Sequence, residues 1–472
     1  MSNSKNKISL DEKIETLIGS DFTWNGFLQA FMVSFAWFFD AQQAFISVFT
    51  DAEPQTDSPA YTSTVSEWLS TSTGSIISGM PASFFYMGCL IGGLVLGTLG
   101  DTHLGRKNML VFSCFSMALT GLLTMLSPNI WIYIILRFLS GFCRASIATC
   151  SLVLATELVG RKWRGRAGII GFFCFTFGFL SLPLLAYLNR GYSWRLLYLY
   201  TNLPTIIYSI LVHYLVCESP RWLYVKGKKE QFIETLKTIA PKENESSLTL
   251  SVFVSLKECE NSNSGENLYS AIMILWEKKW ALRRLVVVMV VGFGVGMVYY
   301  GMPLGLGNLA YNLYLSVTLN AISEIPASLV TFFLVDKLNK RSSLLCFCLL
   351  SGVCSVMCVM VNDEKWEELQ IGLELVSFFS ACTAFDVVLI YTMELFPTCV
   401  RNSALSVVRQ ALVLGGVFSP ILVAAGRKNV FLSFGVFGVT IGICGLFVLC
   451  LPETRGRMFC DTMDEEEHNM NC

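Results

Sequence analysis

The chain of 472 residues is 53% hydrophobic and only 15% charged, whereas soluble domains carry about 25% charged residues. Its formal net charge of −1 gives no reason to expect a nucleic-acid partner. The 17 cysteines include no C-x-x-C pair and most lie in apolar segments, so we expect neither a disulfide framework nor a metal site. The composition indicates a helical, multi-pass membrane protein without a cofactor.

Apolar runs of about 20 residues, the length that crosses a bilayer as a helix, recur along the whole chain. Residues 1–23 are polar, without the apolar core of a cleaved signal peptide, and we expect a cytosolic tail there. Twelve spans follow, near 24–48, 78–99, 108–127, 130–156, 166–187, 194–216, 283–303, 308–334, 342–361, 369–393, 402–425 and 429–451. The polar stretch 217–282 is a long central loop, and 452–472 is a second tail. The predicted fold class is an all-α membrane protein with twelve transmembrane helices.

The distribution of Lys and Arg predicts the orientation in the membrane. The loops on the side away from the termini contain few of these residues, namely Arg190, Arg195, Lys365, Arg427 and Lys428. Cytoplasmic loops are enriched in Lys and Arg, so we expect both termini and the central loop in the cytosol. No sorting signal is readable, which leaves the plasma membrane and the vacuolar membrane as alternatives.

The chain repeats itself at about half its length. Acid–arginine pairs that follow spans two and four recur with the same spacing after spans eight and ten: Asp101/Arg106 and Asp336/Arg341, then Glu157/Arg164 and Glu394/Arg401. The sixth span runs into ESPRW and the twelfth into PETRGR. Parallel repeats of six helices are typical of secondary transporters, whose site lies near the bilayer midplane. The repeat predicts two six-helix halves, 24–216 and 283–451, around a central cavity.

The repeated segments also carry a family resemblance. GTLGDTHLGRK (97–107), RFLSG (137–141), ESPRWL and LPETRG resemble motifs of the major facilitator superfamily. SEIPAS (323–328) and MELFPTCVRN (393–402) resemble the organic cation/anion/carnitine transporter family, and FDAQQAFISVFTDAEP is most similar to its plant-type branch. The resemblance implies the superfamily's twelve-helix fold. It also implies transport of an organic cation or of the zwitterion carnitine by alternating access.

Ionisable side chains within the spans are the first candidates for a transport site, because each costs about 2.5–3.5 kcal/mol to insert into a membrane. They are three acids and three bases: Asp40, Arg137, Arg144, Glu324, Asp386 and Arg409. In the superfamily fold, spans one, four, seven and ten line the cavity, which implies that Asp40, Arg144 and Asp386 approach one another. The match to a helix-eight motif implies that Glu324 lies in the cavity wall. The alternative is that these residues form ion pairs that only hold helices together.

The charge and the aromatic character of the residues within the spans suggest which of them bind the substrate and which couple transport to an ion. We expect substrate contacts from Asp40, Glu324, Asp386, Arg409, Trp37, Tyr299 and Tyr300, and ion coupling at Asp40, Arg137 and Arg144. Aromatic faces attract ammonium groups by about 0.5–2 kcal/mol. Tyr299 and Tyr300 are placed at the bend between spans seven and eight. Arg409 is expected either to meet the carboxylate of a zwitterion or to neutralise Glu324.

The segment GTLGDTHLGRK is more than a spacer between two helices. Its glycines permit a tight turn, but a turn alone does not explain why its acid and arginine recur in the other half. We expect charged latches across the cytosolic ends of the halves, closed when the cavity faces outward and broken when it opens inward. The residues of these latches are Gly97, Asp101, Gly105, Arg106, Glu157, Arg164, Asp336, Arg341, Glu394 and Arg401.

Enzyme chemistry is not expected, because the chain has three histidines and no H-E-x-x-H, G-x-S-x-G or Walker A motif. Membrane potential or a proton carried on Asp40 or Asp386 must then drive transport, and we expect a monomer in the lipid bilayer. A sugar/H⁺ symporter is one alternative, although sugar sites are generally uncharged. A non-transporting receptor is another, because the outer loop near 51–77 is short and lacks the cysteines of the family.

Overall fold

A computed structural model describes residues 23–52, 63–68, 76–96, 104–160, 163–239, 268–309, 311–334, 339–361, 366–427, 429–454, 463 and 465–467. In this part of the chain the regular structure is helical throughout, without a β-strand, and ten helices are long and apolar enough to span a membrane. The first helix is divided into three consecutive pieces that together are as long as a membrane span. The last is a shorter apolar helix. The predicted all-α, twelve-helix fold is confirmed.

We number the twelve helices α1–α12 in chain order. The N-terminal half contains α1 (Trp24–Ser34, Ala36–Phe45 and Ser47–Thr50), α2 (Met80–Leu96), α3 (Arg106–Met125), α4 (Ile130–Arg144 and Ile147–Glu157), α5 (Arg164–Leu188) and α6 (Trp194–Leu215). The C-terminal half contains α7 (Lys279–Gly305), α8 (Leu313–Leu334), α9 (Lys340–Met360), α10 (Glu367–Leu395), α11 (Thr398–Gly426) and α12 (Phe434–Leu446). The connections include the short helices Thr64–Trp68, Pro220–Val225, Lys229–Ile239 and Leu268–Glu277.

The predicted bend between spans seven and eight is misplaced. The helix α7 continues to Gly305, with Pro303 in its last turn. A proline near a helix end frees few backbone groups, and neighbouring helices can satisfy them. Tyr299 and Tyr300 therefore lie within α7 and inside the bundle, 8% and 7% exposed, rather than at the bend itself.

Glycines allow very close helix crossings in both halves. A Cβ atom built on Gly141 of α4 would lie 1.9 Å from the carbonyl oxygen of Phe85 in α2. A Cβ atom on Gly296 of α7 would lie 2.0 Å from the carbonyl oxygen of Leu412 in α11. In lipid, helices associate through close packing rather than through the hydrophobic effect, and small residues let their backbones approach. These crossings fix the helices that carry the candidate site.

The two halves are in contact at the helix ends that face away from the termini, which we call the distal side. Arg427, after α11, donates a hydrogen bond from Nη2 to the carbonyl oxygen of Asp51, at 2.8 Å. The ring of Tyr314, at the start of α8, stacks on Phe49 of α1 at 5.7 Å and meets Tyr187 of α5 edge-on at 5.7 Å. The opposite helix ends, which lead to the termini, are called the termini side.

The short helix after α1 is anchored on the distal side by charge and aromatic contacts. Glu67 accepts two hydrogen bonds from Arg195, at 2.6 and 2.8 Å, and one from Nε1 of Trp194, at 2.9 Å. The hydrogen bonds from Arg195 hold the pKa of Glu67 below its usual range. The ring of Trp68 meets Trp194 edge-on at 5.4 Å. The described part of this loop is thus held in place without a cysteine.

We predict that Gly141→Ala lowers the melting temperature of the purified protein, because the added Cβ collides with the backbone of α2. Overpacking of this kind costs about 1–3 kcal/mol, more than the gain of up to about 1 kcal/mol in helix propensity. Thermal unfolding in detergent measures the difference. Gly372→Ala on α10 is the control, because its added Cβ has no neighbour within 4 Å. Equal melting of the two variants would contradict the crossing geometry.

Candidate transport site

Asp40 of α1 and Arg144 of α4 form a buried ion pair. Asp40 is 2% exposed, and the Nε and Nη2 atoms of Arg144 each lie 2.8 Å from one of its carboxylate oxygens. Such two-point pairing fixes the geometry as well as the charge. Losing one partner of a buried pair costs about 3–5 kcal/mol. Protonation of Asp40 would therefore release Arg144, which makes the pair a candidate switch.

Arg137 lies two turns from Arg144 on the same face of α4, as their spacing of seven residues predicts. Its side chain is fully buried, and Nη2 donates to the Ser47 hydroxyl at 3.0 Å and to the Gln43 carbonyl at 3.3 Å. The guanidinium carbon lies 4.2 Å from the ring centre of Phe85. Arg137 therefore occupies its own polar position, towards the distal side from the Asp40–Arg144 pair.

Glu324 lies in the middle of the bundle, where the two halves meet. It is 5% exposed, and its carboxylate accepts hydrogen bonds from the Tyr299 hydroxyl at 2.9 Å and from the Thr176 hydroxyl at 3.2 Å. Tyr299 belongs to α7 of the same half and Thr176 to α5 of the other half. Within the described residues, no cation lies at ion-pair distance from this carboxylate.

Aromatic rings form a wall around Tyr299 and hence beside Glu324. Phe385 of α10 lies 4.6 Å from the Tyr299 ring, and Tyr300 lies 5.1 Å from it. Tyr300 in turn contacts Tyr86 of α2, at 4.8 Å, across the interface between the halves. These are the geometric components of a site for an ammonium group: one carboxylate and several aromatic faces.

Three other predicted substrate residues have different surroundings. Asp386 lies beside Thr331 and Ser328 of α8, rather than beside residues of α1 or α4. Arg409 of α11 interacts electrostatically with Asp40 and Tyr300, and not with Glu324. Trp37 packs against aromatic rings of α5, with its ring 5.4 Å from that of Phe172.

On the termini side, the N-terminal half has a cluster of charged and polar residues that includes two of the predicted gating residues. Arg106, the first residue of α3, has Nη1 2.8 Å from Glu157 and 3.1 Å from the Ser219 hydroxyl. Ser219 also donates a hydrogen bond to Glu157. Glu218 accepts hydrogen bonds from the backbone N–H groups of Arg106 and Lys107, at 3.1 and 3.0 Å, and so caps the N-terminus of α3.

The C-terminal half contains a matching cluster. Lys340, the first residue of α9, has Nζ 2.8 Å from Glu394, which also accepts a hydrogen bond from Thr454 at 2.7 Å. Glu453 accepts a hydrogen bond from the backbone N–H of Lys340, at 3.1 Å. Lys340 thus forms in the C-terminal half the ion pair that Arg106 forms in the N-terminal half. Arg341, which matches Arg106 by spacing, instead donates to the carbonyl of Leu449. In each cluster these contacts join helices of one half, not one half to the other.

The remaining predicted gating residues are distributed as follows. Gly105 precedes α3 with φ +86°, a conformation that glycine adopts readily, and a Cβ there would lie 2.3 Å from Glu218. Arg164 is the first residue of α5, and Arg401, in the first turn of α11, donates to the Phe396 carbonyl at 3.4 Å. Gly97, Asp101 and Asp336 lie outside the described residues.

Sequence reasoning missed several buried carboxylates. Glu374 of α10 is fully buried and accepts hydrogen bonds from the Asn320 amide at 3.2 and 3.3 Å, but it lies near the predicted start of its span. Asp51 follows the last piece of α1, beyond the predicted end of the first span. Glu218 lies in ESPRW and Glu453 in PETRGR, about half the chain length apart. The internal repeat could therefore have identified both residues.

Comparison with known proteins identifies the family. The sequence model described as "Sugar (and other) transporter" matches residues 14–464. The chain belongs to this family of the major facilitator superfamily. Organic cation/carnitine transporter 3 of Arabidopsis thaliana is 56% identical, over 98% of this chain and 94% of the relative. Organic cation/carnitine transporter 2 of the same organism is 54% identical, over 99% and 95%. The resemblance read from the sequence motifs is confirmed.

Solved structures support the fold. An inward-open structure of the xylose transporter XylE from E. coli is similar with a TM-score of 0.66, at 19% identity, over 94% of this chain and 98% of that one. A crystal structure of a D-xylose-proton symporter gives the same TM-score at 16% identity, over 93% and 100%. Both agree with the twelve-helix arrangement described above.

We predict that Glu218→Ala destabilises the N-terminal half, because it removes the cap of α3. Burial raises the pKa of Glu218 against the opposing effect of its backbone donors. The loss of a capping side chain typically costs about 0.5–2 kcal/mol. The melting temperature of the purified protein measures the loss. Glu230→Ala, at an exposed position in the central loop, is the control, and an equal effect of both changes would exclude the capping role.

Proposed function

We propose that this family member transports organic cations or carnitine by alternating access, with Glu324 binding the ammonium group of the substrate. The main support is the geometry at Glu324, where a buried carboxylate at the interface of the halves has only neutral hydrogen-bond donors. The names of the Arabidopsis relatives support the same substrate class.

The charge balance explains why a cation fits there. A buried carboxylate without a counter-charge is costly, and a bound ammonium group would supply that charge. The aromatic wall of Tyr299, Tyr300 and Phe385 offers π faces to an alkylated ammonium that donates no hydrogen bond. Because Glu324 of α8 contacts Tyr299 of α7 in its own half and Thr176 of α5 in the other half, a ligand bound to it would alter contacts between the halves. Such a difference in binding between two states is what allows a ligand to shift their equilibrium.

A zwitterion needs a second, positive group in the same cavity. We propose Arg409 for this role, since it shares the surroundings of Tyr300, the ring that also forms part of the wall beside Glu324. The carboxylate of carnitine would then face α11 while its ammonium faces α8. A sugar has no charge to satisfy either group, which makes the sugar/H⁺ symporter the weaker alternative.

The Asp40–Arg144 pair is proposed as the coupling site. A proton that binds Asp40 converts the ion pair into a neutral acid beside a free guanidinium, and this change favours a different arrangement of α1 and α4. The excess of Lys and Arg on the termini side supports an orientation with both termini in the cytosol. The membrane potential would add about 2.3 kcal/mol per substrate charge per 100 mV.

The termini-side clusters are proposed to hold each half together as a unit. In the N-terminal half, Arg106, Glu157 and Glu218 tie α3 to α4 and to the segment after α6. Lys340, Glu394 and Glu453 do the same for α9, α10 and the segment after α12. Each cluster would then keep the end of its half rigid while the halves move against each other. The latch between the halves stays a prediction, because its residues Asp101 and Asp336 lie outside the described part of the chain.

Glu324→Gln should raise the KM for labelled tetraethylammonium about tenfold or more, since opposite unit charges about 5 Å apart attract each other by about 3 kcal/mol at an effective dielectric constant of about 20. Uptake into liposomes that contain the purified protein measures KM and the maximal rate separately. The matched control is Glu374→Gln, a buried acid of α10 bound to Asn320. An unchanged KM in Glu324→Gln would contradict the proposal. So would the same rise in the control.

Asp40→Asn should abolish accumulation driven by a pH gradient while exchange of tetraethylammonium across the membrane continues, because exchange needs no proton release. Asp386→Asn is the comparison, since it removes the other acid considered as a proton carrier. If Asp386→Asn alone loses accumulation, the coupling site has been assigned to the wrong helix. Loss of both transport modes in Asp40→Asn would point to a purely structural ion pair.

A further inference from the structure

A continuous polar face connects the Asp40–Arg144 pair to the distal side of the N-terminal half. On α1, its members recur at helical spacing, and on α4 they occupy one face. We call this set the polar column; it consists of Asp40, Gln43, Ser47 and Asp51 with Arg137, Ser140 and Arg144. Its ends, Asp40 and Asp51, are eleven residues apart, or about 16 Å along a helix.

Several buried polar atoms of the column have no hydrogen-bond partner among the described residues. They are the Oε1 atom of Gln43, the hydroxyl of Ser140, the Oδ2 atom of Asp51, and the Nε and Nη1 atoms of Arg137. Leaving one such group unsatisfied costs about 1–3 kcal/mol. Buried polar groups without a protein partner are typically satisfied by internal water. A row of them between two carboxylates indicates a file of water molecules.

The distal end of the column reaches the boundary between the halves. The Oδ1 atom of Asp51 accepts hydrogen bonds from Thr64 at 2.8 Å and from Tyr133 at 3.0 Å. Asp51 also lines a cavity on the distal side, together with Ser78 of the turn before α2 and Arg427 from the other half. Its second oxygen, Oδ2, is buried and has no hydrogen-bond partner among the described residues, which leaves it a position for a proton that enters from this cavity.

We propose that the polar column is a water-filled proton path from the distal cavity to Asp40, with Asp51 as its entry carboxylate. The inference rests on the proposed coupling role of Asp40. A proton binds Oδ2 of Asp51 and moves along the water file by successive O–H bond formation and cleavage. It ends on Asp40, which then separates from Arg144. Each step transfers one proton and leaves no net charge behind in the file.

The charges along the column compensate one another. Its two acids and two arginines sum to zero, which limits the cost of burial. The fixed charge of Arg137, midway along, repels any cation in the file, and the carboxylate on each side offsets that repulsion for a proton that passes between them. The proton can reach Asp40 while the halves remain in contact on the distal side, so loading does not require the distal contacts to open.

The groups that face each carboxylate determine its response to pH. Asp51 is faced by Arg137 and Tyr133 of α4, Tyr198 of α6, Thr64 of the short helix and Arg427 after α11. Asp40 is faced by Arg144 of α4, Cys89 of α2, Cys114 of α3, Tyr300 of α7 and Arg409 of α11. Both acids therefore exchange protons beside at least one fixed positive charge.

The test uses the full-length protein in liposomes of known orientation, with labelled tetraethylammonium. One measurement is exchange at equal concentrations, and the other is accumulation driven by acid on the distal side. We expect Asp51→Asn to slow accumulation about fivefold or more while exchange stays within about twofold of the wild type. Gln43→Leu interrupts the water file without changing any charge and should have the same effect. Ser78→Ala lines the cavity outside the column and should behave like the wild type.

Wild-type accumulation in both Asp51→Asn and Gln43→Leu would overturn the proposal, as would an equal loss of exchange and accumulation. If Asp51→Asn does not fold, Gln43→Leu carries the test. Infrared titration of the purified protein is independent of any substrate: a protonated-carboxyl band that titrates in the wild type should be absent from Asp51→Asn. Identical spectra would overturn the entry role. Failure of the wild type to carry tetraethylammonium would count against the proposed function alone, since the infrared result still decides proton binding at Asp51.

Discussion

Compensation of buried charge is the constraint on which the rest of this structure depends. An ionised side chain inside a helical bundle in lipid costs several kcal/mol unless a partner compensates it. The two halves meet this constraint differently. In the N-terminal half, Asp40 is paired with Arg144 at two points. In the C-terminal half, Glu324 has only hydroxyl donors. A proton can release the first acid, and a substrate cation can satisfy the second.

Because the two buried acids have different partners, we propose different roles for the two halves, although the halves share one helix arrangement. The repeat provides matching supports at the termini side, where Glu218 and Glu453 each accept a backbone hydrogen bond at the start of the third helix of their half. The cavity residues do not repeat, because Glu324 and Asp40 lie on helices with different positions in their halves. Thr176 of α5 donates to Glu324, so the interface between the halves passes through the proposed substrate site. Events at either acid can therefore influence how the halves are arranged.

Much of the fold could be predicted from the sequence, because membrane spans depend on local composition. Runs of apolar residues located all twelve helices, and the acid–arginine repeat predicted the division into two halves. The pairing of Asp40 with Arg144 also follows from a rule on buried charges and from the implied positions of α1 and α4. These inferences need only hydropathy, spacing and the sign of charge.

Other features depend on side-chain geometry that spacing does not determine. Arg341 matches Arg106 by spacing, but Lys340 at the start of α9 reaches Glu394. The predicted end of span seven places Tyr299 at a bend, yet α7 continues to Gly305 and buries this tyrosine. Asp51 lies just beyond the predicted end of its span. Ionisable residues are common at such positions, so its charge alone did not mark it as a candidate.

The central claim is that the protein carries a positively charged organic substrate through the cavity beside Glu324. The most direct test is uptake of labelled tetraethylammonium, carnitine and hexose by the purified wild-type protein in liposomes, at imposed membrane potentials and proton gradients. The account predicts uptake of tetraethylammonium or carnitine that responds to these gradients, without uptake of hexose. Uptake of hexose alone, or of none of the three, would contradict it.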